Sequence, residues 1–137
     1  MIKYEFEIPE TITGKARPRM NTLTGKAYTP NSTKNYEYLV RFYFMKKYPK
    51  FETITGRIRI KIIAYFEITK STSKKKSKEM LENIISPTKK PDWDNIGKII
   101  SDALNKFAFK DDAQITEASI IKKYSTTPKV IVSIEEY

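Results

Sequence analysis

The chain predicts an α/β (α+β) fold: a single compact domain in which helices pack against a mixed β-sheet of about four strands. Three observations point there. Two-residue alternation of apolar and polar side chains recurs near the amino end, in the middle and near the carboxyl end. Helical spacing of apolar residues fills long stretches between, and the resulting order is β, α, β, α, α, β, β. With 137 residues, 39% of them hydrophobic and 12% aromatic, the chain can build one modest core and is too apolar for wholesale disorder.

Taking the elements in order, Ile2, Tyr4, Phe6 and Ile8 alternate with Lys3, Glu5 and Glu7, which predicts a half-buried strand ended by Pro9. Residues 11–30 hold Gly14, Pro18, Gly25 and Pro30 and read as an extended loop. Pro30-Asn31-Ser32-Thr33 opens a helix in which Tyr36, Leu39, Val40, Tyr43 and Phe44 share a face, and Pro49 stops it. From Gly56, the residues Ile58, Ile60, Ile62 and Ala64 face one way while Arg57, Arg59, Lys61 and Ile63 face the other, giving a strand to about Phe66.

Residues 69–78 form a Ser/Lys block that enters a short helix near residues 78–85, and residues 87–91 make a turn. A third helix from Asp94 or Asn95 places Ile96, Ile99, Ile100, Ala103, Leu104 and Phe107 in one arc, with Asn95, Lys98 and Asp102 along the opposite edge. Residues 114–124 and 129–135 read as two strands, joined at Thr126-Thr127-Pro128 into an antiparallel hairpin. There is no internal repeat and no sign of a second domain.

Composition excludes much chemistry. The chain has neither cysteine nor histidine, which removes disulfides, thiolate zinc sites, cysteine nucleophiles, histidine bases and Ser-His-Asp triads. Any hydrolysis must run on carboxylates, lysine, tyrosine or hydroxyls, with a hard, oxygen-ligated metal as the natural helper. No run reaches the length of a membrane span and no secretory h-region follows Met1, so a cytoplasmic location is expected. A net charge of +10 calls for a polyanionic partner.

Against that charge, Asp92 and Asp94 in Pro91-Asp92-Trp93-Asp94-Asn95, and Asp112 in Lys110-Asp111-Asp112, need a reason. Carboxylates weaken a nucleic-acid binder's attraction for phosphate unless they hold a divalent cation such as Mg²⁺, with Mn²⁺ as a substitute, that activates water against a phosphodiester. Lys98, one turn past Asp94, would then stabilise developing negative charge. Each position also has a bland explanation. Asp94 is a good helix cap, Asp92 suits the helix dipole, Lys98 and Asp102 can form a surface pair, and Asp111-Asp112 is an ordinary turn.

The segment from Lys90 to Lys98, then Asp102-Ala103-Leu104-Asn105 and Asp111-Asp112-Ala113-Gln114, resembles the signature of the RusA family of Holliday-junction resolvases: K-P-D-x-D-N-x-x-K, D-A-L-N and D-D-x-Q. Gly14-Lys15-Ala16-Arg17-Pro18-Arg19 and Tyr28-Thr29-Pro30 also resemble a loop of the family, so the likeness spans most of the chain. It implies one RusA-like endonuclease domain over residues 1–137 and a homodimeric, Mg²⁺-dependent enzyme making paired nicks in four-way DNA. By motif position, the metal-binding aspartates fall on Asp92, Asp94 and Asp112, and the catalytic lysine on Lys98. Trp93 and Gly97 stand where the family usually has an aliphatic residue, and a glycine inside a helix suggests close packing against DNA or a partner.

Lys15, Arg17, Arg19, Lys89 and Lys90 are the candidates for phosphate contacts, which give affinity and salt dependence without sequence choice. The lysines of residues 70–78 could grip a junction arm, although such runs are usually solvated. Tyr48 and Phe51 could wedge into a branch point. Two competing readings remain. One is a non-catalytic basic nucleic-acid-binding protein with structural aspartates. The other is a restriction-like nuclease using Glu67 and Lys70, whose spacing is one residue too long for E-x-K.

Overall fold

The computed structural model describes residues 1–14, 19–20, 23–28 and 31–137, with side chains at 19–20 and 27–28 outside that description. The alternation at the amino end becomes β1 (Lys3–Ile8), with Tyr4, Phe6 and Ile8 buried and Lys3, Glu5 and Glu7 exposed. In the stretch expected to be loop, β2 (Arg19–Met20) and β3 (Ala27–Tyr28) pair antiparallel. Gly25 between them sits at φ +69°, a left-handed conformation that costs glycine nothing.

Next comes α1 (Asn31–Lys47), which buries Thr33, Tyr36, Val40 and Phe44, while Leu39 and Tyr43 are only half-buried. The Tyr36 hydroxyl is buried with no hydrogen-bond partner among the described residues, and burial, with Glu10 adding to it, pushes its pKa up. Phe44 is the hub of an aromatic cluster. Its ring lies 5.1 Å from Tyr4, 5.4 Å from Phe6 and 5.0 Å from Phe51. Tyr48 and Phe51 are therefore core packing, not wedges for a branch point. Tyr48 stacks on Tyr4 at 4.7 Å and its hydroxyl pairs with the Glu5 backbone, while Phe51 packs on Phe107 at 4.8 Å.

The middle alternation becomes β4 (Ile58–Glu67), whose Ile58, Ile60, Ile62, Ala64 and Phe66 are all buried. The helix after the Ser/Lys block, α2 (Lys74–Leu81), starts four residues earlier than expected because the Ser73 side chain accepts from the Lys76 N–H. It buries nothing. By contrast α3 (Trp93–Leu104) is strongly amphipathic, with Ile96, Ile99, Ile100, Ala103 and Leu104 buried. It leans on α1, where Arg41 Nη1 donates to the Ala103 carbonyl at 3.2 Å.

The last two strands are β5 (Ile115–Ser125) and β6 (Lys129–Glu136). They are not a hairpin. The sheet order is β1-β6-β4-β5, with β4 parallel to β5 and β6 antiparallel to both β4 and β1. The helices between β4 and β5 form a crossover, and a crossover returns the chain parallel to where it left. β6 then takes the other side of β4. The step from Ser125 to Lys129 can reach about 13 Å, enough to pass one intervening strand at about 4.8 Å spacing. Helices cover one face of this four-stranded mixed sheet, and the other face stays open. No helix among the described residues is long and apolar enough to cross a membrane.

Gly97 answers to packing within the chain. A Cβ there would stand 2.6 Å from Ile120 Cδ1, so glycine lets α3 sit directly on β5. Alanine would add helix propensity of roughly 1 kcal/mol and oppose it with this contact. We expect Gly97→Ala to raise stability by about 1 kcal/mol only when combined with Ile120→Val, which removes the Cδ1; a urea double-mutant cycle reads the coupling.

Candidate active site

At the start of α3, Asp92 is the residue before the first helical one, in extended conformation (φ −69°, ψ 157°). Its carbonyl accepts the first helical bond, from the Ile96 N–H at 3.0 Å, but its carboxylate caps nothing. Asp94 is in the first turn, where a negative charge suits the positive end of the helix. Both are exposed, and among the described residues no hydrogen bond or ion pair holds either carboxylate. The capping explanation for Asp94 therefore fails, while Asp92, at the N-cap, is still placed to favour the helix dipole.

The two side chains look into different hollows. Asp92, with Gly14, Lys90, Pro91 and Asn95, lines one of about 340 Å³. Asp94 lines a mostly apolar slot of about 240 Å³ between α3 and the β4–β5 edge, with Trp93, Gly97, Ser101 and Ala118. Trp93, between the two aspartates, is 67% exposed. A Cβ on Gly14 would meet Pro91 Cβ at 2.6 Å, so the amino-terminal segment packs against the wall of the Asp92 hollow just before it runs on to Lys15.

Asp112 is placed from the far end of α3. It opens a 3₁₀ turn (Asp112–Gln114), and its N–H donates to Asn105 Oδ1 at 3.1 Å, Asn105 being the residue that closes α3. Gln114 then locks the turn. Its Oε1 accepts from the Asp111 N–H at 2.8 Å, while its Nε2 donates to the carbonyls of Ile54 (3.0 Å) and Gly56 (2.8 Å). Sequence reasoning found these two amides in the signature without assigning them a role. Their signal is a pair of carboxamides bracketing a turn that must be held rigid.

Twelve helical residues separate the two acidic ends, about 18 Å of rise. Within one chain the fold brings Asp92 and Asp94 to one end of α3 and Asp112 to the other. Among the described residues no group of three or more acidic side chains is close enough to hold a metal ion. Lys98 is exposed on the outer side of α3 and its ammonium has no partner among the described residues, so the surface pair with Asp102 does not form; Asp102 is half-buried and engaged elsewhere. Lys89 and Lys90 are exposed on the turn that leads to Asp92. Lys15 and Arg17 lie outside the described residues, and of Arg19 only the backbone, in β2, is described.

An acidic helix start and nearby lysines, none with a partner among the described residues, sit on a strongly basic α+β domain. The chain belongs to the RusA family: the family model described as Endodeoxyribonuclease RusA matches residues 9–135. It is also 34% identical over 126 residues to the uncharacterized protein YqaN of Bacillus subtilis (strain 168), a match covering 89% of this chain and 88% of that one.

Removing the lock tests the scaffold. Gln114→Leu leaves the Ile54 and Gly56 carbonyls without their donor and should lower stability by about 2 kcal/mol in urea unfolding. It should also speed hydrogen exchange around Asp111 and Asp112.

Proposed function

We propose that this protein is a Mg²⁺-dependent, structure-selective endonuclease that acts in the cytoplasm as a homodimer. It resolves Holliday junctions by paired nicks during recombination, repair or phage-DNA processing. The whole chain serves as one RusA-like domain. The observation that carries this reading is the family match over residues 9–135, in a chain whose three signature carboxylates have no partner among the described residues. Those aspartates, Asp92, Asp94 and Asp112, are the assigned metal ligands, with Mn²⁺ able to replace Mg²⁺.

One chain alone does not fit that assignment, because its two acidic ends stand a helix length apart. A homodimer offers two copies of each end. A two-fold arrangement that sets the Asp92–Asp94 end of one copy against the Asp112 end of the other supplies three carboxylates to one place. Lys98 contributes a compact ammonium to offset charge developing on the attacked phosphate. Lys15, Arg17, Arg19, Lys89 and Lys90 bind flanking phosphates.

The absence of a three-carboxylate group within the chain favours a second reading, a non-catalytic binder of branched DNA. Asp92→Asn separates the two. In the enzyme it should cut Mg²⁺-dependent nicking of a four-way junction at least about a thousandfold while leaving junction affinity intact or raised, since a repulsive charge is removed. Wild-type protein that nicks no branched DNA with Mg²⁺ or Mn²⁺ would overturn the enzyme reading.

A further inference from the structure

Beside the Asp92 hollow, the structure gathers cations that no acidic group among the described residues neutralises. Lys122 comes from β5, and its ammonium donates to the Lys89 carbonyl, tying the turn before Asp92 to the sheet. The same ammonium stands 5.3 Å from the centre of the Phe66 ring. The Lys89 ammonium stands 5.8 Å from that ring and 5.9 Å from Tyr124. Two positive charges thus converge on one aromatic pair.

The rings attract them both, but a ring quadrupole does not cancel two unit charges. Among the described residues neither ammonium has a carboxylate partner. Nor are their donors used up. Of the three hydrogens on Lys122 Nζ, one goes to the carbonyl, and the Lys89 ammonium has no acceptor among the described residues.

Next to this pair lies a hollow of about 380 Å³ lined by Thr11, Phe66, Glu67, Thr69, Lys89 and Lys90, in which Glu67 is the sole acidic wall residue. It shares Lys90 and Pro91 with the hollow of Asp92, so the two make a continuous trough across Pro91.

We infer that Lys122 and Lys89, steadied on Phe66 and Tyr124, form a seat for a second DNA phosphate, one that flanks the phosphate lying at Asp92. With the Asp92 hollow, the seat fixes the line a strand takes along the trough. Lys122 is the new element, and only the phosphate at Asp92 rests on the endonuclease reading.

The test is metal-free binding of a four-way junction across a series of KCl concentrations. Lys122→Met and Lys89→Met should each weaken binding roughly tenfold at low salt and shrink the slope of log affinity against log salt by about one. Lys122→Arg should keep both. Circular dichroism and melting temperature establish that each variant is folded, and Lys89→Met serves if Lys122→Met is not, since among the described residues no hydrogen bond depends on the Lys89 side chain. Unchanged affinity overturns the seat. So does weaker binding at unchanged slope, which would make Lys122 a mere prop for the Lys89 carbonyl. A protein that shows the expected slopes yet cuts nothing keeps the seat and loses the enzyme reading.

Discussion

Everything at the site depends on one rigid object, the helix α3, and on the apolar stripe that seats it. Ile96, Ile99, Ile100 and Leu104 are fully buried, each contributing roughly 1.5–3 kcal/mol of gross burial free energy. Gly97 lets the helix down onto β5, and the Arg41 bond to Ala103 fixes it against α1. Once seated, the rod dictates position at both ends. Its start presents Asp92 and Asp94, and the residue that caps its end, Asn105, holds the N–H of Asp112. The spacing between the acidic groups is therefore a property of helix length, and small side-chain adjustments cannot close it.

That spacing sorts the signature residues by physical role. Asn105 and Gln114 are consumed by backbone partners, so their chemistry is spent on holding a turn. Asp92, Asp94, Lys98 and Asp112 carry charge in the open with no partner among the described residues. A fold does not gain from leaving carboxylates and ammonium groups exposed and unpaired near one another. Such groups persist where something that binds supplies the missing charge. The motif is therefore half scaffold and half chemistry, and hydrogen-bond occupancy tells the halves apart.

Much of this was legible in the sequence, for reasons that also mark where legibility stops. Period-two alternation revealed β1 and β4 down to the facing of each residue, because one buried face leaves its imprint on every second side chain. The stripe of α3 was equally plain. Strand neighbours were not. Residues 115–125 and 129–136 show that strands exist and that a short link joins them, but the link is as compatible with stepping past β4 as with a hairpin. Only the parallel crossover from β4 decides between these. The same limit hid the distance from Asp92 to Asp112. A motif records which residues occur together in a chain, and twenty positions can fold into one hollow or span a helix. Gly14 against Pro91, and Lys122 over Phe66, are likewise contacts between distant segments that leave no local pattern.

The distribution of charge supplies the last step. On the open sheet face two cations have acidic partners, while Lys3, Lys61 and Lys123 have none among the described residues. Arg59 meets Glu117 and Glu135, the Glu117 hydrogen bond holds its pKa above the ordinary value, and Lys129 meets Glu7 at 3.7 Å. Around the start of α3, Lys89, Lys90, Lys98 and Lys122 all lack acidic partners among the described residues. The excess of ten positive charges is thus not spread evenly; its unpaired share includes the surface that carries Asp92 and Asp94. Long-range attraction draws a polyanion to that surface. The aspartates give up some of that attraction locally, which is tolerable only because the lysines on the turn, on α3 and on β5 outnumber them there.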